Sequence, residues 1–117
     1  MLKEAFMAFS ESQTETLTAY PNGWTVIEGA PTIKNLKFYQ DDAQKRFSGI
    51  WECTTGKFTV DYSVWEYCHL IKGQCVITHE DGRTYTLNAG DSFILEPGFK
   101  GTWQVVEDVQ KHYVILA

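Results

Sequence analysis

From Phe47 onward, apolar and polar residues change places at nearly every step, and short runs are cut by Gly, Pro, Asn and Asp. The clearest alternation is Lys57 to Val64, where Phe58, Val60, Tyr62 and Val64 interleave with Lys57, Thr59, Asp61 and Ser63. A period of two is the mark of a strand with one buried face. Carried forward, the same parity puts Glu66, Cys68 and Leu70 inside and Trp65, Tyr67, His69 and Ile71 outside, with a turn near Ser63 to Trp65 as the place where register could break. Both faces from Tyr67 to Ile71 are largely apolar, so this strand is expected to be covered on both sides, and Lys72-Gly73 to end it. Gln74 to Thr78 predicts the next strand, and Glu80-Asp81-Gly82 a hairpin turn into Arg83 to Leu87. Asn88 to Asp91 turns the chain. Ser92 to Leu95, Thr102 to Val106 and Lys111 to Leu116 follow as strands, with Pro97-Gly98 between the first two.

Upstream the signal is thinner. Gly49 to Cys53 reads as a strand broken at Thr54-Thr55-Gly56, and Asp41 to Arg46 as a polar loop. Trp24 to Ile27 has room only for a short strand between the turn at Tyr20 to Gly23 and the breaker Gly29-Ala30-Pro31. Residues 1–20 are polar after the small apolar cluster Phe6, Met7 and Phe9, and predict an arm laid over a sheet edge. Many short strands with turn residues between them, and no helical period, predict an all-β sandwich or barrel. The expected organisation is one domain, with an N-terminal arm of short strands over residues 1–46 and a barrel core over 47–117.

Composition narrows the partners. A chain of 117 residues has room for one packed domain. Ten Lys and Arg stand against 15 Asp and Glu, a formal charge of −5, which argues against phosphate backbones and anionic membrane surfaces. No apolar run approaches the roughly 20 residues of a bilayer span, and Glu4 interrupts the first apolar residues with no small-residue cleavage site after them, so a soluble cytoplasmic protein is expected. Three cysteines, Cys53, Cys68 and Cys75, with no C-x-x-C spacing, support neither a disulfide framework nor a zinc ribbon. Seven Phe, six Tyr and four Trp are many for this length, and suit pleated surfaces and pocket walls.

Glu66, six intervening residues and Gly73 match the end of the first cupin motif, G-x5-H-x-H-x3,4-E-x6-G. Gly90-Asp91 and Pro97-Gly98 match the frame of the second, G-x5-P-x-G-x2-H-x3-N, with the proline one position late and Glu96 in its usual place. The chain therefore resembles the cupin superfamily, and over residues 47–116 it is similar to the small single-domain cupins of the domain-of-unknown-function 861 family. That family is related to the cupin domain of (S)-ureidoglycine aminohydrolase and to the ethanolamine-utilisation protein Q. The resemblance implies a jelly-roll β-barrel and a pocket inside it.

A typical cupin centre holds a divalent metal with three imidazoles and one carboxylate. Alignment on Glu66 puts Val60 and Tyr62 where the two histidines of the first motif would stand, and Gly101 where that of the second would stand. Only the carboxylate survives. His69, His79 and His112 share no ligand spacing, so no metal or other cofactor is expected.

Glu66, on the inward parity, is the candidate acid/base, with Tyr62 four residues earlier as its companion. Two other outcomes stay open. One is that the pair merely satisfies itself inside a barrel; the other is that Lys100 or Arg83 neutralises Glu66. Val60, Cys68, Gly101 and Trp103 complete the expected ligand pocket, with Trp103 as an aromatic wall and space where an imidazole is missing at Gly101. Trp51 and Trp65 are placed on the barrel exterior or at a subunit contact. Three functions follow as expectations. The first is a pocket for a small polar metabolite, such as a sugar or an amine, without metal. The second is an enzyme of the ureidoglycine aminohydrolase-like group acting on a nitrogen-rich molecule through Glu66. The third is a homodimeric assembly module that uses the outer face of Trp65, Tyr67, His69 and Ile71.

Overall fold

A computed structural model describes residues 6–9, 15–21 and 23–117. Nine strands appear in them and no α-helix: β1 (Glu15–Leu17), β2 (Thr25–Glu28), β3 (Ile33–Asp41), β4 (Arg46–Cys53), β5 (Gly56–Asp61), β6 (Trp65–His79), β7 (Thr84–Asn88), β8 (Ser92–Leu95) and β9 (Lys100–Leu116). All strand pairings are antiparallel.

Two long strands organise the whole. β6 and β9 pair from Trp65↔Leu116 to His79↔Gly101, and each changes its other neighbour partway along. β9 lies against β5 from Lys100 to Val105 and against β4 from Val109 to Leu116. β6 lies against β8 from Glu66 to His69 and against β7 from Gln74 to Thr78. The sheet thus curls into two halves that share one ribbon, ordered β2-β5-β9-β6-β7 and β1-β3-β4-β9-β6-β8. Their inner faces enclose a single core, in which Trp51 of one half meets Trp103 of the other edge to face, with ring centroids 5.7 Å apart. This is the all-β architecture that the turn spacing predicts, curled as the resemblance implies.

The bend in the ribbon corrects two expectations. Lys72-Gly73 does not end a strand, and residues 102–106 and 111–116 belong to one strand. Register slips three times between Leu70 and Cys75, where the chain passes from one half to the other. Gly73 makes the passage possible: its φ is +87°, and a Cβ there would overlap the Asp108 carbonyl of the opposing strand. The predicted strand over Lys57 to Val64 closes early, at Asp61, and the chain turns through Tyr62 to Val64 before β6 resumes the inward parity at Glu66.

β3 is a strand the pattern did not predict, since its exposed and half-buried positions give no clean alternation. It pairs with β4 across the Asp42–Lys45 turn, and β1 adds to its free edge. Phe9 stacks on Phe38 of β3 at 4.9 Å. Of the expected arm, β1 and Phe9 thus lie against β3. Residues 1–5 and 10–14 of that expectation lie outside the described residues. β2 and β3 join the same curled sheet as the rest, and the 46/47 division falls at the start of β4.

Trp51, placed outside by the sequence reading, is in the core with 5% of its surface exposed. β4 buries alternate residues Gly49, Trp51 and Cys53, and that parity points toward the other half. Trp65, Tyr67 and His69 are half-exposed on the outer face, where Tyr67 and His69 both hydrogen-bond Ser92 Oγ, at 3.1 and 2.8 Å.

Candidate functional site

The curl leaves a cavity of about 290 Å³ at one end of the core. β3 contributes Asn35 to its wall, β4 Trp51, β6 Glu66, and β9 Lys111 and Tyr113; Trp24 lies over it from the segment before β2. The turn between β5 and β6 supplies Tyr62. Its backbone is held on both sides by the Pro97-Gly98 turn, since Tyr62 N donates to the Phe99 carbonyl at 2.8 Å and Gly98 N to the Tyr62 carbonyl at 2.7 Å. Tyr20 anchors the covering segment by donating its hydroxyl to the Pro31 carbonyl. Trp24 stacks on Phe58 with ring centroids 5.1 Å apart.

At the cavity's inner end sits an ion pair. Lys111 Nζ donates to Glu66 Oε2 at 3.2 Å, with 2% and 5% of the two residues exposed. Lys111 faces Trp51 directly across the β4–β9 ladder, and its ammonium lies 4.7 Å from the Trp51 ring and 4.6 Å from Trp103. Cys68 Sγ, 3.5 Å away, completes the enclosure. An ammonium taken out of water needs such partners: a carboxylate to cancel its charge and π faces to replace its hydration. Burial alone would lower the Lys111 pKa, but the Cys68 sulfur and the Glu66 carboxylate outweigh it and hold the ammonium above its usual value. Burial pushes the Cys68 thiol up to about 12 against the pull of Lys111, so the sulfur stays a neutral thiol and no nucleophile.

The Tyr62 hydroxyl is buried on the same wall and makes no well-formed hydrogen bond among the described residues. Burial first, then the negative field of Glu66 nearby, keeps its pKa well above the usual 10, so it remains an O–H donor. Tyr113 Oη is already engaged, donating to Asn35 Oδ1 at 2.7 Å.

Among the sequence-predicted residues, Glu66 and Tyr62 come together on the wall. Cys68 lies against Lys111, behind the cavity surface. Val60 and Trp103 are core residues, 3% and 0% exposed, and Trp51 takes the wall position expected of Trp103. Gly101 leaves no space at all: a Cβ there would overlap the Thr78 carbonyl of β6, so the backbone of the ribbon occupies the place of the missing imidazole. Neither suggested partner reaches Glu66. Arg83 pairs with Asp81 at 2.6 Å, and Lys100 is exposed.

Lys111 is the residue the sequence reading missed. Its signal was there in the inward parity of Val109, Lys111 and Tyr113, hidden because a lysine after Gln110 reads as the polar start of a strand.

A cupin-type metal does not fit these donors. Glu66 already bonds a lysine ammonium, the neighbouring phenol holds its proton far above neutral pH, and Gly101 can bear no ligand. Among the described residues no three His, Cys, Asp or Glu side chains converge on a point.

The geometry has counterparts. A family model of the EutQ-like cupin domain matches residues 41–113. A Pseudomonas syringae protein of unknown function from the DUF861 family is similar in structure, with a TM-score of 0.76 at 23% identity, covering 87% of this chain. The present chain spans only 44% of that protein's length. A putative ethanolamine utilization protein Q from Salmonella typhimurium aligns with a TM-score of 0.65 at 19% identity, over 73% of this chain and 69% of that one. A DUF861 family protein from Thermotoga maritima is 36% identical with a TM-score of 0.54, over 55% of this chain and 73% of that one. No curated protein matches the chain. The matched family model spans β4 through most of β9, which includes Tyr62, Glu66 and Lys111, and on that match the chain belongs to the EutQ-like cupin family.

Proposed function

We propose that this cupin binds a small polar molecule in the cavity beside Glu66, Lys111 and Tyr62, without a metal ion. The observation that carries this reading is the buried hydroxyl of the cavity-lining residue Tyr62, which is turned toward Glu66 without a well-formed bond among the described residues. Buried polar groups in native proteins are nearly always satisfied, and leaving one unmet costs about 1–3 kcal/mol. A partner that arrives with a ligand removes that cost, and Trp24 and Trp51 offer apolar surface to the rest of the molecule. The cavity lies near the lower end of the range that holds small ligands, about 300 Å³ upward.

A catalytic role for Glu66 is supported less. An acid/base must exchange its proton freely near the working pH, whereas this carboxylate is tied to Lys111 at 3.2 Å.

Thermal unfolding across a panel of sugars, amides, amines and ureides tests the binding reading. At a hundredfold excess over Kd, a true ligand stabilises the fold by about 2.7 kcal/mol, a rise of several degrees in Tm. Tyr62→Phe is expected to fold at least as stably as the parent and to lose that rise. A panel with no stabilising member, or a Tyr62→Phe protein that responds like the parent, sinks the reading.

A further inference from the structure

The charge arrangement in the cavity narrows what can enter it, and this step rests on the pocket reading above. Among the described residues Lys111 is the one cation on the wall, and it is already engaged. Glu66 Oε2 and Cys68 Sγ accept from it at 3.2 and 3.5 Å, and the Trp51 and Trp103 rings flank it at 4.7 and 4.6 Å. An ammonium has three donors and no acceptor, so little of this one is left to greet an anion. Glu66 and Lys111 cancel one another where both are almost fully buried. A carboxylate arriving beside them would bring a negative charge with no free cation to meet it. An amine would bring a positive charge to a carboxylate already neutralised, and the other carboxylate of the lining, Asp61, lies in water at the exposed mouth and not beside the pair. Uncompensated charge in a buried site is costly in either sign.

What remains to be met is uncharged. Tyr62 keeps its proton at all ordinary pH and turns it toward Glu66 without a well-formed bond, so the O–H is open to a better-placed acceptor. Glu66 offers further acceptor capacity, since a carboxylate has about four lone-pair sites and Lys111 takes one. Donor and acceptor sit side by side on one wall, with the Trp24 ring across from them, its centroid 5.8 Å from that of Tyr62.

We infer that the cavity selects an uncharged molecule that carries a hydrogen-bond acceptor and a donor on the same carbon or on neighbouring carbons, as a carboxamide or a vicinal diol does, with its carbon end against Trp24. The acceptor takes the Tyr62 proton donor, and the donor reaches Glu66. Asp61 at the exposed mouth adds a negative charge that further disfavours anions.

Four fragments of one size separate the possibilities: butanamide, 1,2-butanediol, butanoate and butylamine, titrated into the full chain at pH 7. Tryptophan emission reads binding directly, because Trp24 and Trp51 line the cavity. Butanamide or the diol is expected to bind roughly tenfold more tightly than either charged fragment, and which of the two leads identifies the ligand chemistry. Tyr62→Phe is expected to erase that preference. If butanoate or butylamine binds as tightly as the neutral pair, selection by charge is overturned while the pocket reading stands. If no fragment changes the emission up to its solubility limit, both fall together.

Discussion

Lys111 shows how far one residue's chemistry depends on where a strand places it. Exposed, a lysine contributes little to stability; here its stem and ammonium are enclosed by two indoles, a thiol and a carboxylate. Removing one member of such a pair leaves the other charged and alone. Lys111→Met is therefore expected to destabilise by roughly 3–5 kcal/mol, read from urea unfolding. Adding Glu66→Gln to that variant is expected to recover part of the loss. Losses that simply add would show that the two groups do not act as a pair. The sequence disclosed half of this centre. Glu66 was visible because it interrupts a clean run of inward apolar residues, Phe58, Val60, Cys68 and Leu70. Lys111 was not, because its strand carries polar residues at Gln110 and His112 on either side and alternation there is weak. Trp51 was assigned to the wrong face because Glu52 and Trp51 share a short run with no anchor for its parity.

At the scale of elements, local signals located the turns and failed at the bends. Glu80-Asp81-Gly82 and Pro97-Gly98 turn where they should. Lys72-Gly73 carries the same residue type, yet the strand bends and continues, because a glycine lets a strand change sheets as readily as it lets one stop. Nothing within ten residues of Gly73 distinguishes the two outcomes; the distinction lies with Asp108, on the opposing strand. Gly73→Ala is expected to cost at least about 2 kcal/mol, through the positive φ and the overlap with that carbonyl together. Gly82→Ala, also at positive φ but with open space at its Cβ, serves as the control in the same unfolding measurement, and an equal loss at both sites would show that the Asp108 overlap adds nothing. β3 escaped detection for a different reason: it is half-exposed along most of its length and so lacks the contrast on which periodicity depends.

At the scale of the molecule, the core holds three thiols as neutral groups. Burial is the leading cause at each, pushing Cys53 and Cys68 up to about 12 and Cys75 up to about 11. In an unfolded chain a thiol ionises near 8.5. Below that pH both states keep their protons and stability is unaffected. Above it the unfolded state gains by losing protons that the folded state retains, so stability falls by roughly 1.4 kcal/mol per pH unit for each thiol until the folded value is reached. The urea midpoint is thus expected to drop steadily between about pH 9 and 11, and a Cys53→Ala, Cys75→Ala variant to show a shallower drop. A midpoint independent of pH over that range would contradict the burial of these groups.

The ribbon of β6 and β9 has one more consequence. Each strand is a member of both halves of the curled sheet, so no line can be drawn through the molecule that crosses turns alone and leaves each half with its own ladder. Neither half can be dissected out as a smaller folding unit. Sequence added to this barrel has to enter where no ladder crosses, as at the exposed turns Asp42 to Lys45 and Glu80 to Gly82, neither of which lines the cavity.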